Sequence, residues 1–276
     1  MNRPVHPLPQ PLSRYLASMQ GHGTALASAD CELTFCHRLL AVPQEEVRRW
    51  LDQTAAPYPG MDDRAAAAFL GGNLAWELGL VLAGMRMGGF GVPALGADAF
   101  AARLVRQDGD GIGYARISVH ILDDSMPHLP LDTQGVNTLL VAVLAPMVER
   151  LHILTRLGRS ALWRLVADNI AAAWLSVGNS IGDPERAITD ADAIIHQPGS
   201  PLSNKQLHFI RVEARDPQNG QKLLACEWFR ARGGCCRYYT VDEARGQLCS
   251  TCVLQTPQAM QSILSDYLVE RVQAGK

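Results

Sequence analysis

At 276 residues and 30.0 kDa, with 47% hydrophobic and 19% charged residues, the chain can bury a substantial core and is too apolar to be disordered. A net charge of -2 gives no basic excess to neutralise phosphates, so no nucleic-acid partner is expected. The segment Met1–Pro11 is rich in proline and lacks the apolar core of a secretory signal, which points to the cytoplasm.

Pro11–Met19 reads as a short helix. A second helix begins at Pro43, with Glu45 and Glu46 suited to its first turn and Val47, Trp50 and Leu51 on one face. Asp62 and Asp63 then introduce an apolar stretch, Ala65–Met85, long enough to cross a bilayer. Gly71-Gly72 and the ionisable Glu77 make it a better core helix of a helical domain than a membrane span. Asn73 and Glu77, four apart, share a face that reads as a solvent stripe rather than the wall of a polar cavity.

After the loop Met87–Pro93, the spacing predicts a helix over Ala97–Gln107, a Gly-rich turn at Asp108–Gly111 and a strand over Ile112–Val119. Val136–Leu154 reads as a helix kinked at Pro146, and Ser160–Val177 as a helix with an apolar stripe from Leu162 to Val177. Gly178–Asn204 has the composition of a loop, with a short helical patch after Asp183-Pro184. Gln197–Pro201 is taken as a boundary between a mostly helical region, 1–197, and a C-terminal module, 198–276. That module opens with a hairpin, Leu207–Ala214 and Lys222–Phe229 about a turn at Asp216–Gly220. It closes with a helix capped by Thr256 and begun by Pro257, whose stripe is Met260, Ile263, Leu264, Tyr267, Leu268 and Val272. The expected fold class is α+β: a helical N-terminal part with a small antiparallel sheet, then the hairpin, a cysteine loop and the amphipathic helix.

Four of the seven cysteines fall between positions 235 and 252. In a reducing compartment such a cluster points to metal rather than disulfides. Cys249-Ser250-Thr251-Cys252 places two thiols on one side of a tight loop. Cys235 and Cys236 are adjacent, and in an extended strand their side chains would diverge, so the backbone must turn; Gly233-Gly234 offers the freedom to do so. By count, four thiolates suit a tetrahedral zinc or a [2Fe–2S] cluster equally. The Cys-Cys pair departs from the two knuckles of a zinc ribbon. Arg230, Arg232, Arg237 and Arg245 offer positive charge that favours an anionic cluster.

The run Arg232-Gly233-Gly234-Cys235-Cys236-Arg237-Tyr238-Tyr239, with Cys249-Ser250-Thr251-Cys252-Val253-Leu254, resembles the C-terminal module of the siderophore-iron reductase family (FhuF-type). A weaker similarity surrounds Ser160-Ala161-Leu162-Trp163. The resemblance implies that Cys235, Cys236, Cys249 and Cys252 ligate a [2Fe–2S] cluster. It also implies one-electron reduction of a ferric siderophore of hydroxamate or catecholate type, freeing Fe(II). A separate electron donor protein would supply the electrons, with transient contact at the inner membrane or a siderophore transporter. Twelve residues separate Cys236 from Cys249, a longer spacer than the family's. The alternatives are a zinc-stabilised binding module without catalysis and an iron–sulfur redox sensor.

Cys31 and Cys36 read as free thiols and Cys226 as a core residue of the return strand. Tyr238, Tyr239 and Trp228 are also expected in the core. The histidines, among them His37, His120, His128, His152, His196 and His208, show no metal-ligand spacing. Gly109-x-Gly111-x-Gly113 precedes a strand, the wrong order for a dinucleotide fingerprint, so no NAD(P)H is expected; no phosphate loop is present.

Overall fold

A computed structural model describes residues 37–89, 92, 96–109, 112–121 and 130–275. The expected helix at Pro11–Met19 and the thiols Cys31 and Cys36 lie outside these residues. The described chain is α+β, as expected, with helices α1 (Gln44–Ala55), α2 (Asp63–Met87), α3 (Thr133–Thr155), α4 (Arg159–Ile181), α5 (Pro184–Ile195) and α6 (Pro257–Gln273). One antiparallel sheet joins β1 (His37–Arg38), β2 (Phe100–Gly109) and β3 (Ile112–Ile121); a second pairs β4 (His208–Arg215) with β5 (Leu223–Ala231).

Local chemistry sets the helix starts. Asp62 accepts from the Ala65 amide at 2.7 Å, Asp132 from Gly135 at 2.7 Å and Thr256 from Ala259 at 3.2 Å. Pro184 and Pro257 sit in the first turns of α5 and α6. The expected short patch after Asp183-Pro184 is a full helix of 12 residues, because Ala187, Ala191, Ile194 and Ile195 bury a helical stripe. α3 runs on through Pro146.

One expected helix is a strand. Ala97–Ala99 forms a single 3-10 turn, and Phe100–Gly109 then pairs residue for residue with β3, Leu104 opposite Ile117. Ala, Leu, Arg and Gln favour a helix in isolation, but ladder pairing and burial of Phe100, Ala101 and Ala102 outweigh that preference.

The large apolar cluster runs from Leu39 to Leu207 and centres on α2 packed along α4. α2 and α3 are both long and apolar enough to cross a membrane; 83% of the apolar window of α2 and 44% of that of α3 lie inside the fold. α2 is therefore the core helix its sequence suggested. Its expected polar stripe is not one: Asn73 is exposed, but Glu77 is buried, because α2 sinks deeper into the core beyond Leu74.

The smaller cluster joins Val212, Ala214 and Ala231 of the hairpin to Met260, Leu264 and Leu268 of α6. Only half of the α6 stripe is covered, since Ile263, Tyr267 and Val272 are 42%, 48% and 39% exposed. Residues 198–207 pack with the larger cluster through Leu202 and Leu207.

A polar clasp ties the bundle together. Arg86 Nε lies 2.6 Å from Asp190 Oδ2, Trp174 Nε1 donates to the same carboxylate at 2.9 Å, and Arg86 Nη1 donates to the Leu131 carbonyl at 3.0 Å. Asp190→Ala would leave both donors unpaired in a largely shielded site. We expect a loss of about 3 kcal/mol, read as a melting temperature lowered by roughly 6–12 °C; a shift under about 2 °C would show that solvent replaces the clasp.

Candidate metal centre

The candidate site is the loop that follows β5, folded back onto the helical bundle. Among the described residues the four cysteines of this loop and Cys226 are free thiols. Cys235, Cys236 and Cys249 are half-buried and Cys252 is 3% exposed.

The backbone brings the two cysteine pairs together. Arg232 N–H donates to the Thr251 carbonyl at 3.1 Å, fastening the second loop to the first. Within the second, Cys252 N–H donates to the Cys249 carbonyl at 3.0 Å, and Gln255 Nε2 caps the same carbonyl at 2.6 Å. The adjacent cysteines are turned at Arg237, which adopts the left-handed conformation with φ 61°.

The glycines have another task than the expected one, because neither Gly233 nor Gly234 has a positive φ. They permit close approach. A Cβ at Gly234 would lie 3.1 Å from Arg164 Cβ and from the Leu165 amide nitrogen; one at Gly233 would collide with the Asn204 side chain and lie 2.8 Å from the Leu207 amide nitrogen. The cysteine loop is thus pressed directly against α4.

Asp168 makes that approach specific. It is fully buried on α4, and its two oxygens accept from the Gly233 and Gly234 amides at 2.7 and 2.9 Å. Burial pushes its carboxyl up, while Arg230, the two amides and Arg232 pull it down. Sequence reasoning missed Asp168, although a signal existed: an acid three residues after Leu165 stands on the apolar stripe of α4.

A second clasp runs to α2. Arg237 Nη2 donates to Asp62 at 2.8 Å, and Asp242 N–H donates to the Pro59 carbonyl at 3.0 Å. Tyr238 is not in the core as expected: it stacks on Phe69 at 6.1 Å, meets Tyr58 edge-on at 6.5 Å and donates its hydroxyl to Glu243 at 2.7 Å. Tyr239 is half-buried beside Cys235. Trp228 is elsewhere, donating Nε1 to Glu185 at 3.0 Å, and Cys226 is half-buried, its sulfur accepting from Arg211 Nε at 3.1 Å. The β5 face that carries these side chains is only partly covered, so core packing does not claim them.

The electrostatics favour negative charge on one sulfur, that of Cys236. Cys236 is held well below its ordinary range because the Cys249 thiol donates to it, with help from Arg232 and the Tyr238 amide. Cys249, the donor of that bond, is pushed up correspondingly, and by burial. Burial raises Cys235, opposed by a hydrogen bond from the Arg237 amide. Burial, then the neighbouring charge of Arg232, pulls the Arg230 guanidinium down to about 10. Arg245, grouped with the other arginines in the sequence, is exposed.

Among the described residues no three His, Cys, Asp or Glu side chains stand at metal-holding spacing. Cys236 and Cys249 touch, with Cys235 and Cys252 close enough to feel their charge. The surroundings nonetheless fit an anionic thiolate centre. Arg230 Nε and Nη1, Arg232 Nε and Arg237 Nε are shielded and have no hydrogen-bond partner among the described residues. Each buried donor left so costs about 1–3 kcal/mol. Acceptors on a negatively charged group between the arginines and the cysteines would remove that cost.

Among the described residues, two openings that reach the cysteines stand out. A cavity of about 200 Å³ leads to Cys236 and Cys249, lined also by Asn73, Asn169, Arg232 and Tyr238. A groove of about 680 Å³ leads to Cys235. No protein-family model, curated protein or solved structure matches the chain.

Proposed function

We propose that this chain is a ferric-siderophore reductase of the siderophore-iron reductase type, working in a reducing compartment. The observation that carries the reading is the set of four thiols on two joined loops, flanked by shielded guanidinium groups with N–H donors that have no partner among the described residues. Cys235, Cys236, Cys249 and Cys252 would hold a [2Fe–2S] cluster, which would supply one-electron chemistry toward a ferric chelate.

The protein's own groups tune and protect that chemistry. Arg230 and Arg232 stabilise added negative charge at the sulfurs and so favour the reduced state. The amides of Arg237 and Tyr238 donate to Cys235 and Cys236, which stabilises thiolates over thiols. Asp168 fixes the Gly233-Gly234 segment, and through it the position of the first cysteine pair.

The substrate's chemistry suits a single electron. Fe(III) is hard and tightly held by hydroxamate or catecholate oxygens. Fe(II) is held far more weakly, so one electron from a separate donor protein frees the metal and leaves the chelator whole.

The test is a single turnover. Anaerobic protein is reduced with dithionite, freed of excess reductant and mixed in parallel with a ferric tris-catecholate and an uncharged ferric trihydroxamate, each with a chromogenic Fe(II) trap. Trapped Fe(II) should appear in step with loss of the reduced spectrum, one per cluster. A redox sensor would keep its reduced spectrum and yield no Fe(II), and that outcome would overturn the reading.

A further inference from the structure

The two openings differ in size, and the larger one carries the features that point to a substrate. Pockets that enclose organic ligands measure about 300–1,000 Å³. The 200 Å³ cavity at Cys236 and Cys249 is below that range, whereas the 680 Å³ groove at Cys235 is within it. The groove also carries charge of one sign: Arg164 and Arg237 line it, together with Gln206 and Tyr239, and no Asp or Glu does.

Arg237 is already matched by Asp62 at 2.8 Å. Arg164 is exposed on α4, and its described partner is neutral: Nη1 donates to Gln206 Oε1 at 3.0 Å. Among the described residues its charge therefore has no acidic partner at the mouth of the groove. Val253 and Leu254 supply an apolar wall on the opposite loop, Leu254 being 57% exposed.

We propose that the groove between α4 and the cysteine loop is the seat of the ferric chelate, and that Arg164 makes it selective for anionic chelates. A ferric tris-catecholate, which carries three negative charges, fits the charge and the apolar wall. A cationic trihydroxamate such as ferrioxamine B meets the arginine with like charge. The chelate seated there faces Cys235 directly. This assignment rests on the reductase reading for its purpose, but the groove's ligand preference can be measured without electron transfer.

The probe is therefore a gallium(III) chelate, which matches the ferric one in charge and shape and does not accept the electron. Binding of gallium tris-catecholate and gallium desferrioxamine B to the full-length, cofactor-loaded protein is measured by calorimetry. The tris-catecholate should bind the tighter, and Arg164→Glu should weaken it about tenfold or more, the scale expected for reversing one exposed charge near a trianion. Arg164→Lys should retain most of the affinity, and the desferrioxamine complex should not weaken in Arg164→Glu. Visible absorbance checks that each variant still carries its cofactor. Equal affinities for the two chelates, or a tris-catecholate affinity untouched by Arg164→Glu, would overturn the assignment. Selective binding with no Fe(II) released from the ferric tris-catecholate would instead sink the reductase reading and leave the groove's assignment standing.

Discussion

Asp168→Ala is expected to lower the melting temperature of the full chain by roughly 10 °C and, on the proposed reading, to cost it most of the iron that the cysteines would hold. The carboxylate is fully buried, accepts both Gly233 and Gly234 amides and sits among Arg230 and Arg232. Removing it strands two amides and deprives a shielded arginine pair of its counter-charge. Breaking a buried charged set by deleting one partner costs about 3–5 kcal/mol, which at 2–4 °C per kcal/mol gives the stated shift. Asp168→Asn should fall between the two, because its amide can accept from one glycine but presents a donor to the other. A melting temperature and iron content within error of the parent for Asp168→Ala would show that the loop is held by other contacts.

Cys249→Ser and Cys236→Ser are expected to remove the cofactor almost entirely, while Cys226→Ser leaves it in place. Cys236 and Cys249 touch each other and face Arg232, so each supplies a sulfur that a serine hydroxyl at its ordinary pKa cannot replace as a thiolate ligand. Cys226 lies on β5 and meets Arg211, away from the four. Iron and sulfide per chain, with the visible spectrum, read the result. Iron retained by both variants at the parent level would exclude the two residues as ligands.

The local signals were legible in the sequence. Asp62, Thr256 and the prolines at 184 and 257 mark helix starts through side-chain and ring chemistry that depends on few neighbours. The cysteine pairs were legible for the same reason. β2 was not, because Ala101-Ala102-Arg103-Leu104 favours a helix until β3 offers a ladder. The clasps were not legible either. Arg237 reaches Asp62 across 175 positions, and Asp168 reaches Gly233 across 65. No local pattern encodes such a pairing; it appears only when the loop is folded onto α2 and α4. Gly233-Gly234 shows the same limit. The sequence suggested freedom to turn, but the geometry uses the absence of a Cβ, and the turn falls on Arg237.

The proposed function turns on what the four thiols hold. The direct measurement is the metal and acid-labile sulfide content of the full chain purified without oxygen, taken with its visible spectrum before and after dithionite. Two irons and two sulfides per chain are expected for a [2Fe–2S] cluster, with a brown colour that bleaches on reduction. A colourless protein carrying one zinc and no sulfide would contradict the account and make the cysteine loop a structural knuckle.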